Sequence, residues 1–530
     1  MSMRTATALG LVIALAACGG TPAAQTPGAQ QAKTVTIAVS SDEGTLTPFT
    51  NESGYPGDNL VKLVFDTLLI QKGDKAEPLL ATALETTDNK VFRLPLRTGV
   101  TWQDGKPFTA ADAVFSVEFF KKNMSGDSSI DVRSVESVTA DGDTLTITLD
   151  SPDPEFPMRV LTDLSMLPKH LWESVTKVNE AGVDKAVGTG PFKLTGYEKE
   201  RGYTFTANSG YFGGKPKVDT IKVNVIPQET TQFAALRTGE VSLSVRNVPP
   251  QQSNALKQQP NLAIAEGTEF ASTMLQFNTT RAPFDKAEVR RAIAKAIDVQ
   301  DLVKTALLGQ GTVGDPGFVH PQAPVKGAPQ PPVFDVAAAK SELDALGAKP
   351  GPDGVRVLDG KPMSYELLVQ STSTDRLRSA ELIRDMLKNV GVAVKISSLD
   401  PDSLDAKVWP EYDVKKGRNY DLTMWGWSAP IMQTSSDIVR LFASDPEDGT
   451  LNIGGFENAA VDKTIAELKA TTTMEERAVA TGKLQKQVAE QMPFVTLYYR
   501  NGAYAYRKDT YSGWVWQNGL GILHKGSFVG

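Results

Sequence analysis

His170, His320 and His524 are the only histidines in this 530-residue chain. No two stand in an HExxH or comparable spacing that would bring two imidazoles to one metal ion. Gly426-Trp427-Ser428-Ala429-Pro430 begins like a nucleophile elbow, but it lacks the closing Gly and no His is placed to suggest a triad. No Walker loop and no GxGxxG is present to cradle a phosphate. Asp and Glu total 62, enough to furnish a carboxylate pair for glycoside hydrolysis, yet no spacing singles one out. The chain therefore reads as a non-enzyme without metal or cofactor, and its chemistry is to be sought in binding.

The single cysteine, Cys18, ends the run Leu15-Ala16-Ala17-Cys18, after Arg4 and an apolar stretch from Ala6 to Ala17. A basic start, a short apolar core and small residues at the cut make an export signal over residues 1–17. The last four residues resemble the lipobox of bacterial lipoproteins. That implies lipidation of Cys18 and anchoring to the outer face of the cytoplasmic membrane, on the periplasmic side where an outer membrane exists. Residues 18–33 then form the lipidated Cys and a flexible tether. Gly19 to Ala32 carries no charge and too little apolar surface to fold, with a reach of roughly 20 Å as a coil. With its thiol lipidated, the exported body holds no disulfide. The net charge of −7 argues against nucleic acid. No later segment approaches the ~20 apolar residues of a spanning helix.

The alternation in Thr34–Val39 predicts the first strand. Asp141-Gly142 between Ser134–Thr139 and Thr144–Leu149 predicts a hairpin, because its turn needs positive φ. Thr109 and Asp112 form a capping-box-like helix start, and Asp285 with Glu288 is read the same way before Val289, Ile293 and Ile297. Tyr365–Gln370, Asp375–Val390 and Val392–Ile396 read as strand, helix and strand, a βαβ unit with a parallel pair. Tyr420–Trp425 is a further strand. Helices over 458–470 and 473–490 precede a late strand, Phe494–Tyr499.

Several segments, in order, resemble the family 5 extracytoplasmic solute-binding proteins of bacterial ABC importers, the dipeptide, oligopeptide and nickel group. They are Glu43–Pro48, Leu63–Leu68, the run Leu96–Asp112, Leu167–His170, Gly188–Phe192, Leu275–Thr279 leading into Val289–Ile293, and Tyr420–Leu422 with Gly426-Trp427. Each piece alone is weak; the ordered set spans nearly all of residues 35–500.

The resemblance implies an α/β fold of two lobes joined by two chain crossings, a periplasmic-binding-protein architecture with a hinge. Lobe I would take 34–270, with a subdomain inserted over about 80–185, and 493–530 would return to it. Lobe II would take 271–492, and the crossings would fall near Phe270–Thr273 and Gln491–Pro493. The implied function is capture of a small solute, most readily a short peptide, and delivery to a permease with cytoplasmic ATPases, by a membrane-anchored monomer. An oligosaccharide, a nickel chelate or another peptide-like solute is the alternative. The implied ligand site draws on Ser41, Asp42, Glu43, Gly44 and Thr45 after the first strand. It adds Trp425, Gly426, Trp427 and Ser428 at a strand end, Phe277 and Asn278 past the first crossing, and Tyr499 on the late strand. Trp427 is the expected ligand contact and Trp425, by alternation, the expected core indole. In peptide-binding members an Asp three residues after this Trp holds the peptide ammonium; here that position is Pro430. Either another carboxylate, such as Asp437 or Glu43, takes that role, or the ligand has no free amino terminus.

Overall fold

The structure, a computed structural model, describes residues 33–51, 55–123, 132–324, 327–328, 330, 333–428, 432 and 434–529. The export signal, Cys18, the tether, Ala429 and Pro430 lie outside the described residues.

Eleven strands share one sheet. In chain order they are β1 (Thr34–Val39), β2 (Phe192–Glu198), β3 (Gly202–Ala207), β4 (Thr220–Val225), β5 (Leu243–Asn247), β6 (Leu262–Phe277), β7 (Gly311–Val313), β8 (Ser364–Gln370), β9 (Ala393–Leu399), β10 (Leu422–Trp425) and β11 (Phe494–Arg507). The spatial order is β9-β8-β10-β6-β11-β5-β1-β4-β3-β2, with β7 on β11. β4, β1 and β5 are mutually parallel, as are β9, β8 and β10. Between these two clusters run the long antiparallel strands β6 and β11, paired from Leu262↔Arg507 to Gln276↔Phe494.

The two lobes meet on this pair. Its register breaks between Thr268 and Ala271, where Phe270 adopts φ 57°. Before the break, Leu262 of β6 and Ala503 and Ala505 of β11 pack with Ala38 and Phe233 of the first lobe. After it, Leu275 and Phe277 of β6 and Val495, Leu497 and Tyr498 of β11 pack with the core of the second. β11 thus packs in the second of these cores through Tyr498 and in the first from Ala503, whereas the sequence places the return near Gln491–Pro493. Helix Met474–Gln491 ends on left-handed Met492 (φ 47°), and the strand that follows stays in the second lobe for six residues. Alternating apolar residues fit either core, so the pattern alone did not locate the switch.

The expected hairpin forms, with Asp141 opposite Thr144 and Gly142 at φ 56°. It belongs to a separate three-stranded sheet packed on helix Ala110–Asn123. At that helix start Thr109 donates from both its N–H and its hydroxyl to Asp112, each at 2.9 Å. β8 and β9 pair in parallel over seven residues, as the βαβ reading requires. Asp285, by contrast, does not cap: helix Ala287–Lys295 begins after Lys286 with no side-chain cap. The full capping box sits at Thr473 and Glu476.

Candidate ligand-binding cleft

In an open α/β sheet the carboxyl ends of parallel strands present loops rather than ladder partners, so ligands collect there. Here the ends of β5 and β8 face each other across the crossing strands and bound a cavity of about 320 Å³. The first lobe contributes Arg246 and Asn247, the second contributes Gln370 and Thr372–Arg376, and Thr273, Arg500 and Asn501 come from the crossings.

Its charges are unequally matched. Arg246 lies 3.5 Å from Glu229, and Arg500 lies 3.6 Å from Asp375. Arg376, at the start of helix Thr374–Lys388, forms neither a hydrogen bond nor an ion pair among the described residues. Burial, and then the repulsion of Arg500, bring its pKa down to about 10. The guanidinium lies against the backbone at Gly426: a Cβ there would come within 2.5 Å of Arg376 Nη2 and 2.3 Å of the Ser272 carbonyl. Gly426 is thus the residue that lets an arginine occupy the end of β10. Gly426→Ala is expected to displace Arg376 and weaken ligand binding at least ~10-fold, read by titration calorimetry, because the carbonyl contact cannot relax as a side chain can.

The residues expected from sequence divide sharply. Gly426 borders the cavity arginine and Ser428 is exposed. The indoles of Trp425 and Trp427 stand 5.9 Å apart, and Trp409 lies edge-on to Trp427 at 5.7 Å. Their exposures reverse the expectation. Trp427 is 8% exposed inside an apolar cluster, while Trp425 is only partly buried at its edge. The alternation breaks because Trp427 lies past the strand, where its N–H donates to Ser272 Oγ and its carbonyl accepts from the Ser272 N–H. Trp427→Ala is therefore expected to cost about 3–5 kcal/mol of stability, seen as a lowered melting point of the unliganded protein.

The segment after β1 is held inside the first lobe. Asp42 accepts from the hydroxyls of Tyr197 and Tyr203, both on the β2–β3 hairpin, and from the Glu200 N–H. Burial opposes its ionisation, but these donors outweigh it and hold its carboxyl below the ordinary range. Glu43 is 3% exposed and accepts from Ser41 Oγ at 3.0 Å. Gly44, at φ 74°, turns the chain so tightly that a Cβ would meet the Thr50 carbonyl at 2.0 Å. Thr45 Oγ1 donates to the Ala181 carbonyl.

Phe277 and Asn278 are fully buried in the second lobe, the ring against Phe284 and the amide on the Tyr420 carbonyl. Tyr499 is also fully buried and donates to the Phe318 carbonyl at 2.6 Å. Asp437 accepts from Thr434 Oγ1 at 2.6 Å away from this cavity. None of these residues borders this cavity. Asn247, Thr372–Arg376 and Arg500 went unmarked in the sequence, although the loop after the first strand of the predicted βαβ unit was the signal that could have found Arg376.

Among the described residues no group of His, Cys, Asp and Glu could hold a metal ion, and no helix is long and apolar enough to cross a membrane. The profile of the bacterial extracellular solute-binding proteins, family 5 Middle, matches residues 75–449. The chain is 26% identical to the oligopeptide-binding protein AppA of Bacillus subtilis, over 80% of this chain and 78% of that one. It is 26% identical to the glutathione-binding protein GsiB of Salmonella typhimurium, over 91% and 92%. Among solved structures, NikZ of Campylobacter jejuni in complex with Ni(L-His) superimposes with a TM-score of 0.77 at 25% identity, covering 90% of this chain and 94% of NikZ. The two-lobed sheet, the cleft between strand ends and a profile match over most of the chain agree: this protein belongs to the family 5 bacterial extracellular solute-binding proteins.

Proposed function

We propose that this chain is the capture subunit of an ABC importer, taking a short peptide between its lobes and handing it to a membrane permease driven by cytoplasmic ATPases. The observation that carries the peptide reading is Arg376, a half-buried guanidinium without a partner on the wall of a polar cavity. Such a group is suited to a ligand carboxylate, which would supply the missing charge-assisted hydrogen bonds. The names of relatives such as AppA and GsiB support the same class of solute.

The lobes divide at Thr268–Ala271 and Arg500–Gly502 in this reading, with the inserted subdomain over about 80–185. A ligand touching both Asn247 and Arg376 would favour the closed form by its differential contacts, which is how a hinge protein couples binding to closure. Cys18, lipidated, would hold a monomer beside its permease. One acyl chain anchors only marginally, so stable attachment implies more than one.

Thermal shift of the mature protein against di- to pentapeptides, cello- and xylo-oligosaccharides and nickel chelates tests this. A peptide at 100 times its Kd is expected to stabilise by about 2.7 kcal/mol. A shift from an oligosaccharide or a chelate, with none from any peptide, overturns the peptide reading.

A further inference from the structure

A second cavity, of about 330 Å³, lies in the second lobe between the segments 414–418 and 443–457. It shares no bordering residue with the cleft. Arg376 meets the chain at Gly426, just past the carboxyl end of β10, whereas Arg418 stands ahead of the strand's start at Leu422. Between Arg418 and that start, the Tyr420 carbonyl accepts from Asn278, which follows the last residue of β6. This cavity therefore lies at the amino end of β10, the opposite end from the cleft.

Its neighbouring cations are matched except for one. Lys415, on the wall, pairs with Glu447, and Arg281 pairs with Asp421 at 3.1 Å. Arg418 borders the cavity and forms no ion pair among the described residues. Its Nε is buried with no hydrogen-bond partner. Its Nη2 reaches only the Val414 carbonyl, at 3.4 Å, which is long for such a bond. Glu457 also borders the cavity, but it is exposed and forms no ion pair among the described residues.

The backbone makes room for this guanidinium. At Gly455 (φ 66°) a Cβ would come within 2.2 Å of Arg418 Nη1 and 2.7 Å of Thr280 Cγ2. Asn452 clasps the same loop: its Nδ2 donates to the Ala443 and Phe456 carbonyls at 3.1 and 2.7 Å, and its Oδ1 accepts the Phe456 N–H at 2.9 Å. The loop is thus held in shape without drawing on the arginine's donors. Val414, Ala443, Pro446 and Phe456 add apolar surface.

Withdrawing a guanidinium from water without a counter-ion is costly, and its planar fork matches a carboxylate. One unmatched cation calls for one negative charge, and the apolar surface calls for an apolar body attached to it. The volume falls within the range of small-molecule sites, upward of about 300 Å³. We propose that this pocket binds a small monocarboxylate with a short apolar chain, its carboxylate on Arg418, as a second site separate from the solute cleft.

Calorimetry with hexanoate tests this, on the mature protein carrying Arg376→Gln so that the cleft arginine does not contribute. One hexanoate per chain is expected to bind, with a Kd of about 1 mM or tighter. Hexanamide should bind at least ~10-fold more weakly, the scale of a lost hydrogen bond to a charged group, and acetate several-fold more weakly because it leaves the apolar surface uncovered. Adding Arg418→Gln should weaken hexanoate at least ~10-fold while the melting point stays that of its parent. The amide comparison needs no second variant, so it stands even if Arg418→Gln fails to fold. Equal binding of hexanoate and hexanamide, no saturable binding of hexanoate, or an unchanged hexanoate affinity in a folded Arg418→Gln overturns the proposal. Each of these results leaves the peptide reading of the cleft intact.

Discussion

Arg376→Gln is expected to weaken binding of a peptide with a free carboxylate by roughly 10- to 100-fold, while the unliganded protein becomes no less stable. The two halves of this result share one cause. In the empty cleft the guanidinium is half-buried, unpartnered and repelled by Arg500, so removing its charge relieves a cost. In the loaded cleft it meets the carboxylate, and that gain is lost. Binding residues that are strained or unsatisfied in the free protein commonly behave this way. Calorimetry with a peptide and its C-terminal amide reads the first half and melting of the apo-protein reads the second. If the variant distinguishes acid from amide as well as wild type does, Arg376 is not the carboxylate contact.

The second large effect lies at a buried contact between segments far apart in sequence. Glu155, in the inserted subdomain, is 2% exposed. It accepts from the N–H and hydroxyl groups of both Ser435 and Ser436, at 2.8–3.0 Å, at the start of helix Ser435–Val439. Arg477, on helix Met474–Gln491, donates to Glu155 at 3.0 Å and to Asp153 at 2.8 Å. This buried cluster fastens the subdomain of one lobe to the helices of the other. Arg477→Met takes the cation from buried Glu155, while Asp153 keeps Arg159 at 2.9 Å, and breaking one side of a buried ion pair typically costs about 3 kcal/mol or more. The expected readouts are a lower melting point and, in small-angle scattering, a larger radius of gyration for the apo-protein. A variant that melts and scatters like wild type would show that the cluster does not hold the lobes together.

The same cluster sets an acid limit. Burial opposes ionisation of Asp153, but Arg159 and Arg477 outweigh it and hold its pKa below the ordinary 3.8. Its stabilising contribution is therefore complete above the unfolded value and lost as pH falls through that value toward the folded one. Acid unfolding of the wild type below about pH 4 should be steeper than that of Arg477→Met, in which part of the depression is already gone.

Much of this architecture was written in periodicity. The alternation of Thr34–Val39, the hairpin at Asp141-Gly142 and the parallel pairing of β8 with β9 depend on local pattern and turn chemistry, which sequence displays directly. The site was less legible. Phe277 and Asn278 follow the first crossing, where hinge packing competes with a cleft role, and Tyr499 alternates with Tyr498 on the late strand. Which way a side chain points there depends on the break at Thr268–Ala271 and on left-handed Phe270, and no alternation rule contains these. Trp427 is the more buried of the two indoles for a similar reason: β10 ends at Trp425, and beyond it the backbone follows Ser272. Arg376 has a different obscurity. It is one charge among many in the sequence and becomes notable only when the fold leaves it without an ion-pair partner.

The account's central claim is that the cleft holds a short peptide, with Arg376 on its carboxylate. Native mass spectrometry of the gently purified mature protein, followed by acid release and sequencing of whatever it carries, tests this most directly. The account predicts a bound species whose mass is that of one short peptide with a free carboxylate, and its loss from Arg376→Gln. A sugar, a metal chelate or a peptide without a free carboxylate in that position would contradict it.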